Sequence, residues 1–200
     1  SRELFDKQKL FFGHFLKGED NGWDKRPRVQ LQVRHPGEKF VERFEKDWPL
    51  PSTEWSKFHL DFDNMSLGTS TIGNVQNVSY DPMGDGVTLT TKPLEKEIEI
   101  TGPMAAKLFV SSESIDADLF LVVRAFYPDF KEVVFKGALD PHTPIAQGWL
   151  RASHRKLDEA LSRPDRPYHT HDEKQPLTPG EIYELDIEIW PSCITLPKGF

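Results

Sequence analysis

The stretch YELDIEIW at 183–190 sets Tyr183, Leu185, Ile187 and Ile189 against Glu184, Asp186 and Glu188. Side chains alternate with a period of two only along an extended chain, so this run must form a strand with one face in a core and the other in water. The signature recurs upstream. EKEIEITG opposes Ile98 and Ile100 to Glu97 and Glu99, and AKLFVSS opposes Leu108 and Val110 to Phe109. LFLVVRAFY at 119–127 is apolar on both faces apart from Arg124, which predicts a central strand covered on each side. Turn residues separate the runs at Asp81-Pro82, Gly84-Asp85-Gly86, Pro128-Asp129, Asp140-Pro141 and Pro179-Gly180. Short strands from residue 58 onward, punctuated in this way, predict a β-sandwich.

One helix interrupts the pattern. In ELFDKQKLFFGHFLKG at 3–18, Leu4, Phe5, Phe11, Phe12, Phe15 and Leu16 fall in one stripe, with Asp6, Lys9, Gly13 and His14 off it and Gly18 placed to end the helix. The next segment, RVQLQVRH, offers one short strand with Val29, Leu31 and Val33 on a common face. That is too little to bury the stripe, so the helix is expected to pack against something this chain mostly lacks. Two long polar stretches, 63–77 and the four-proline segment 157–180, read as loops of functional or interface-forming length.

Composition removes several function classes. The net charge is −7 and the basic residues are scattered, which argues against a nucleic-acid footprint. No apolar run reaches the length of a membrane span and no signal-peptide pattern is visible. The single cysteine, Cys193, permits neither an intrachain disulfide nor a zinc spacing, and leaves the compartment open.

The octet GWLRASHR at 148–155 gathers the residue types of an active site. Read as a strand, it puts Trp149, Arg151, Ser153 and Arg155 on one face and Leu150, Ala152 and His154 on the other. Ser153 and His154 then point apart, and no G-x-S-x-G elbow occurs anywhere in the chain, so a catalytic dyad is not expected. Trp149, Arg151 and Arg155 are expected to form a contact surface instead. His169, His171, Asp172 and Glu173 could in principle ligate a transition metal, but polar residues are ordinary in a loop, and no metal or other cofactor is expected. Asp116 and Asp118 lack the longer calcium-loop pattern and are expected to be structural, accepting backbone N–H groups or pairing with an arginine such as Arg124. Trp23, Trp48 and Trp55 are assigned to packing rather than to sugar stacking.

Three ordered stretches, ITGPMAAKLFVSSESIDADLFLVVRAFYPD, GWLRASHRKLD and LTPGEIYELDIEIWPS, together with the upstream HFLKG, DNGW, RVQLQVRH and WPLPSTEW, carry a family likeness. In these residues the chain resembles the C-terminal β-sandwich of the CocE/NonD hydrolases, the X-Pro dipeptidyl-peptidase and cocaine-esterase family. The resemblance implies a jelly-roll of galactose-binding-like form over residues 56–200, its last strand absent, preceded over 1–55 by the tail of an α/β-hydrolase domain. It implies a parent serine hydrolase, cleaving esters or X-Pro amides through a Ser-His-Asp triad upstream of this chain. No triad residue carries over, and His14 matches none. The partner so implied is the catalytic domain of the same polypeptide, with a homo-oligomer contact as a further expectation. The alternative is an autonomous module that binds carbohydrate or another ligand, since sites are grafted onto folds.

Overall fold

A computed structural model describes residues 2–137 and 139–200. Its spine is β8 (Tyr183–Leu196), whose alternation buries Leu185, Ile187 and Ile189 as the sequence requires. The phase then changes. Trp190 and Pro191 both face outward, and Ser192, Ile194 and Leu196 carry the buried side onward. Against β5 (Ile98–Val110), Ile189 pairs with Met104 and Ser192 with Gly102, so two residues of β8 stand opposite one of β5. Such a bulge inverts which residues face the core. Proline is tolerated there because the ladder is already broken, and Gly102, at φ 144°, supplies the backbone conformation opposite it. One long strand can therefore line two hydrophobic cores.

The other edge of β8 is shared. β7 (Ala146–Arg151) meets it at Gly148, opposite Ile189, and β6 (Asp118–Val123) pairs antiparallel with β7. Gly148 is required by space: a Cβ there would stand 2.2 Å from the Glu188 carbonyl oxygen. Farther along, Arg34 of β1 (Val29–His35) pairs in parallel with Ile194, and β2 (Lys39–Glu45) runs antiparallel to β1. The Arg34 guanidinium fastens this join, donating to Ile145 O at 2.8 Å and Ser192 Oγ at 2.9 Å while lying over the Phe135 ring. The resulting sheet runs β2-β1-β8-β7-β6 with β5 beside β8, and β3 (His59–Asp61) and β4 (Ser66–Gly68) form a separate pair.

One core holds Leu119, Leu150, Ala152, Leu177, Leu185 and Ile187. The second holds Ala125, Val133, Phe135, Ile145, Ile194 and Leu196. Opposite the sheet, much of both cores is closed by irregular backbone joined through isolated bridges, among them Phe126–Glu132, Phe135–Thr143 and Leu157–His169. The protein is mainly β, as the alternation predicts.

Several local expectations are corrected. β6 is an edge strand, not a central one, and Phe120 and Val122 face outward uncovered. RVQLQVRH is joined by the unpredicted partner KFVERFE, whose alternation is too weak to announce a strand. Residues 66–68, read as loop, pair with β3. GWLRASHR is a strand only as far as Arg151, after which Ala152–His154 form a single 3-10 turn.

The helix α1 (Arg2–Lys17) forms as predicted, and Gly18, at φ 68°, ends it. It is fastened to the chain along one border of the stripe, where Asn21 Nδ2 donates to Leu10 O at 2.8 Å and the Trp23 ring meets Phe11 edge-on. Phe5, Phe12, Phe15 and Leu16 are exposed. Within the described residues, no layer covers Phe5, Phe12, Phe15 and Leu16.

Candidate functional site

Ser153 and His154 do not meet. Ser153 is 3% exposed; its hydroxyl donates to Asp116 Oδ2 at 2.6 Å and its N–H to Asp116 Oδ1 at 2.9 Å. His154 Nδ1 instead faces His171 Nδ1 at 3.2 Å. A hydroxyl buried against a carboxylate, with no imidazole in reach, is not an activated nucleophile. The separation expected from strand alternation is produced by the 3-10 turn, which turns Ser153 inward and breaks the face it was to share with Trp149.

The carboxylates at 116 and 118 fasten this corner. Asp116 also accepts the Ala117 N–H at 3.0 Å. Burial pushes the Asp116 carboxyl up, but the hydrogen bonds from Ser153 and Ala117 outweigh it and the net shift is downward. Asp118 takes a bidentate pair with Arg151, 2.7 Å on both arms, and its pKa is lowered by those bonds; Arg151 is raised in turn. Arg124, the partner anticipated from the sequence, pairs with Glu132. Arg155 leaves the expected contact face: it donates to Ala152 O and Gln175 O and lies 4.5 Å over the Tyr183 ring.

What remains on the outward face is an aromatic row. Phe120 of β6 stands opposite Trp149 of β7, and Trp149 meets Trp190 of β8 with ring centroids 4.8 Å apart and planes at 52°. These three side chains are 73%, 50% and 58% exposed. Val122 extends the row on β6. Paired charges flank it, Arg151 with Asp118 on one side and Lys107 with Glu184 and Asp186 on the other. A water-facing sheet surface is ordinarily polar; aromatic residues enclosed by neutralised charges are the composition of a protein contact surface.

Of the residues expected at a contact, Trp149 and Arg151 share this face and Arg155 does not. Phe120 and Trp190 went unrecognised, although each left a signal. Phe120 sits in a run apolar on both faces, and Trp190 occupies a position in phase with Glu184, Asp186 and Glu188. Trp23 packs on Phe11, whereas Trp55 is exposed, contrary to its assignment to packing. His14 Nδ1 lies 3.3 Å from Glu19 O, at the helix end. Among the described residues no three His, Cys, Asp or Glu side chains form a ready metal centre, and no helix is long and apolar enough to cross a membrane.

A mainly β chain with an uncovered aromatic face among its described residues has the composition of a domain that makes contacts. The chain belongs to the X-Pro dipeptidyl-peptidase C-terminal non-catalytic domain family, which it matches over residues 21–199. It is 26% identical to cocaine esterase of Rhodococcus sp. (strain MB1 Bresler) over 94% of its own length and 35% of that protein's. Among solved structures it superposes on a CocE/NonD family hydrolase from Staphylococcus aureus with a TM-score of 0.87 at 32% identity, covering all of this chain and 37% of that one. An aminopeptidase from a marine sediment archaeon, Thaumarchaeota archaeon, shares the fold at a TM-score of 0.63 and 18% identity, over 96% of this chain and 34% of its own. The chain thus spans about a third of the length of the proteins it matches.

Proposed function

We propose that the chain serves as the accessory domain of a serine hydrolase acting on esters or X-Pro amides, and that its task is to dock on and brace the catalytic α/β-hydrolase domain of the same polypeptide. The observation that carries this reading is the aromatic row Phe120–Trp149–Trp190 on a face where water would favour polar residues. The exposed stripe of α1 supports it, as do the hydrolase names of relatives in which this chain corresponds to about a third. In this reading α1 carries the tail of the hydrolase domain, and the strands from β1 onward, which share the sheet of β8, belong to the jelly-roll. The chemistry belongs to the parent: a triad outside this chain forms the acyl-enzyme and an oxyanion hole stabilises its tetrahedral intermediate. A contact between copies of the protein would use surface left outside the docked face.

The test uses the full-length protein. Hydroxyl-radical footprinting is expected to find Trp149 and Trp190 protected, and Trp149→Ser with Trp190→Ser is expected to lower the Tm by several degrees and reduce hydrolase activity with it. Oxidation of both rings at the rate of a free indole, with Tm unchanged in the double variant, would sink the docking role. The open Trp149–Trp190 pair also suits sugar stacking, the second reading. Saturable oligosaccharide binding lost on Trp149→Ser, beside unprotected rings, would favour it.

A further inference from the structure

The geometry points to a surface site for a late transition-metal dication, such as zinc or copper, held by His154 Nδ1 and His171 Nδ1. The two nitrogens face each other at 3.2 Å and the ring centroids are 5.4 Å apart. Two imidazoles on one tetrahedral zinc ion, each at about 2.0–2.1 Å, hold their nitrogens about 3.3 Å apart and their ring centres about 5.2 Å apart. The nitrogen separation suits a shared ion, and the ring centres, slightly farther apart than they would stand on one, require both rings to pivot off the N···N line before their lone pairs converge. Without metal, one imidazole donates its Nδ1–H to the other. Binding asks that this proton move to Nε2, which frees the second Nδ1 lone pair, and that the two rings pivot to aim both lone pairs at the ion.

The surroundings favour a cation. His169 lies beside the pair, its ring 6.0 Å from that of His171. Lys156, the nearest ammonium along the chain, is neutralised by Asp172 and Glu173. Arg155 is turned away over Tyr183. Because no third protein ligand is in place among the described residues, water completes the coordination, and the site binds in the micromolar range rather than as a permanent structural centre. Its effect is to clamp the turn after β7 to the long loop carrying His171, closing that loop onto the domain.

The experiment is calorimetric titration of the EDTA-stripped full-length protein at pH 7.5 with zinc, copper and magnesium chlorides. One-site binding is expected for zinc, tighter binding for copper and none for magnesium, following the preference of imidazole for late transition metals. His154→Gln and His171→Asn are each expected to weaken copper binding at least tenfold while His142→Gln leaves it unchanged. Asparagine suits position 171 because its backbone is left-handed, at φ 54°. Zinc at 1 mM is expected to raise the Tm by about 3 °C in the wild type and not in the double variant. Absence of saturable copper binding below 1 mM, or binding of equal strength in the folded double variant, overturns the site.

Discussion

Ser153 illustrates how one residue's environment decides its role. Its type and its histidine neighbour suggest chemistry, yet its hydroxyl and N–H are both given to Asp116. Replacing Asp116 with alanine strands three donors, the Ser153 hydroxyl and N–H and the Ala117 N–H, and the expected loss is about 2 kcal/mol by urea denaturation. Asparagine should cost less, since it retains one carbonyl acceptor. The same carboxylate makes the corner acid-sensitive. Its folded pKa lies below the unfolded value of about 3.9, so the stabilisation is complete above that pH and is lost as pH falls through the folded pKa. Asp118, Glu99 and Glu132, lowered by their arginine partners, add to the same trend. Stability should therefore decline below about pH 4 with a shallower slope in Asp116→Ala than in the wild type; parallel slopes in pH-dependent urea titrations would contradict this.

The elements depend on two backbone devices. Gly148 lets β7 lie against β8, and its substitution by alanine would drive a methyl into the Glu188 carbonyl and the Ile189 Cα. Backbone cannot yield as a flexible side chain does, so Gly148→Ala is expected to cost about 3 kcal/mol, read as a shift of the denaturation midpoint. Deleting Pro191 would leave one residue of β8 opposite Pro103 and remove the bulge while keeping Ser192, Ile194 and Leu196 in phase with Ile189. That variant should therefore still unfold in one cooperative transition, and loss of cooperativity in urea would contradict this account of the bulge. Both devices explain the limits of the sequence reading at this scale. The alternation of 183–190 predicted a strand, but nothing in WPS announced that it continues with inverted phase. In the same way SHR looks extended, yet Ser153 is drawn inward onto Asp116 and Ala152–His154 close a 3-10 turn after Arg151.

Across the whole molecule, the mismatch between pattern and burial carries the functional information. LFLVVRAFY called for cover on both faces and α1 called for a partner; the fold supplies cover to neither outward surface. Polar substitution on α1, Phe12→Ser with Phe15→Ser, should lower the Tm of the full-length protein, where the stripe is to be buried; an unchanged Tm would remove the helix from the docking reading. The sequence by itself determined that the chain is mainly β, that one amphipathic helix precedes the strands, and that no nucleophile elbow is present. Those are properties of local period and of residue type at fixed spacing, and they need no knowledge of distant neighbours. Only the tertiary structure decided that β6 lies at an edge, that Phe120, Trp149 and Trp190 form one row, and that His154 meets His171. Each of these joins residues tens of positions apart through strand pairing or loop closure, and pairing is set by how the whole set of faces packs rather than by any one segment.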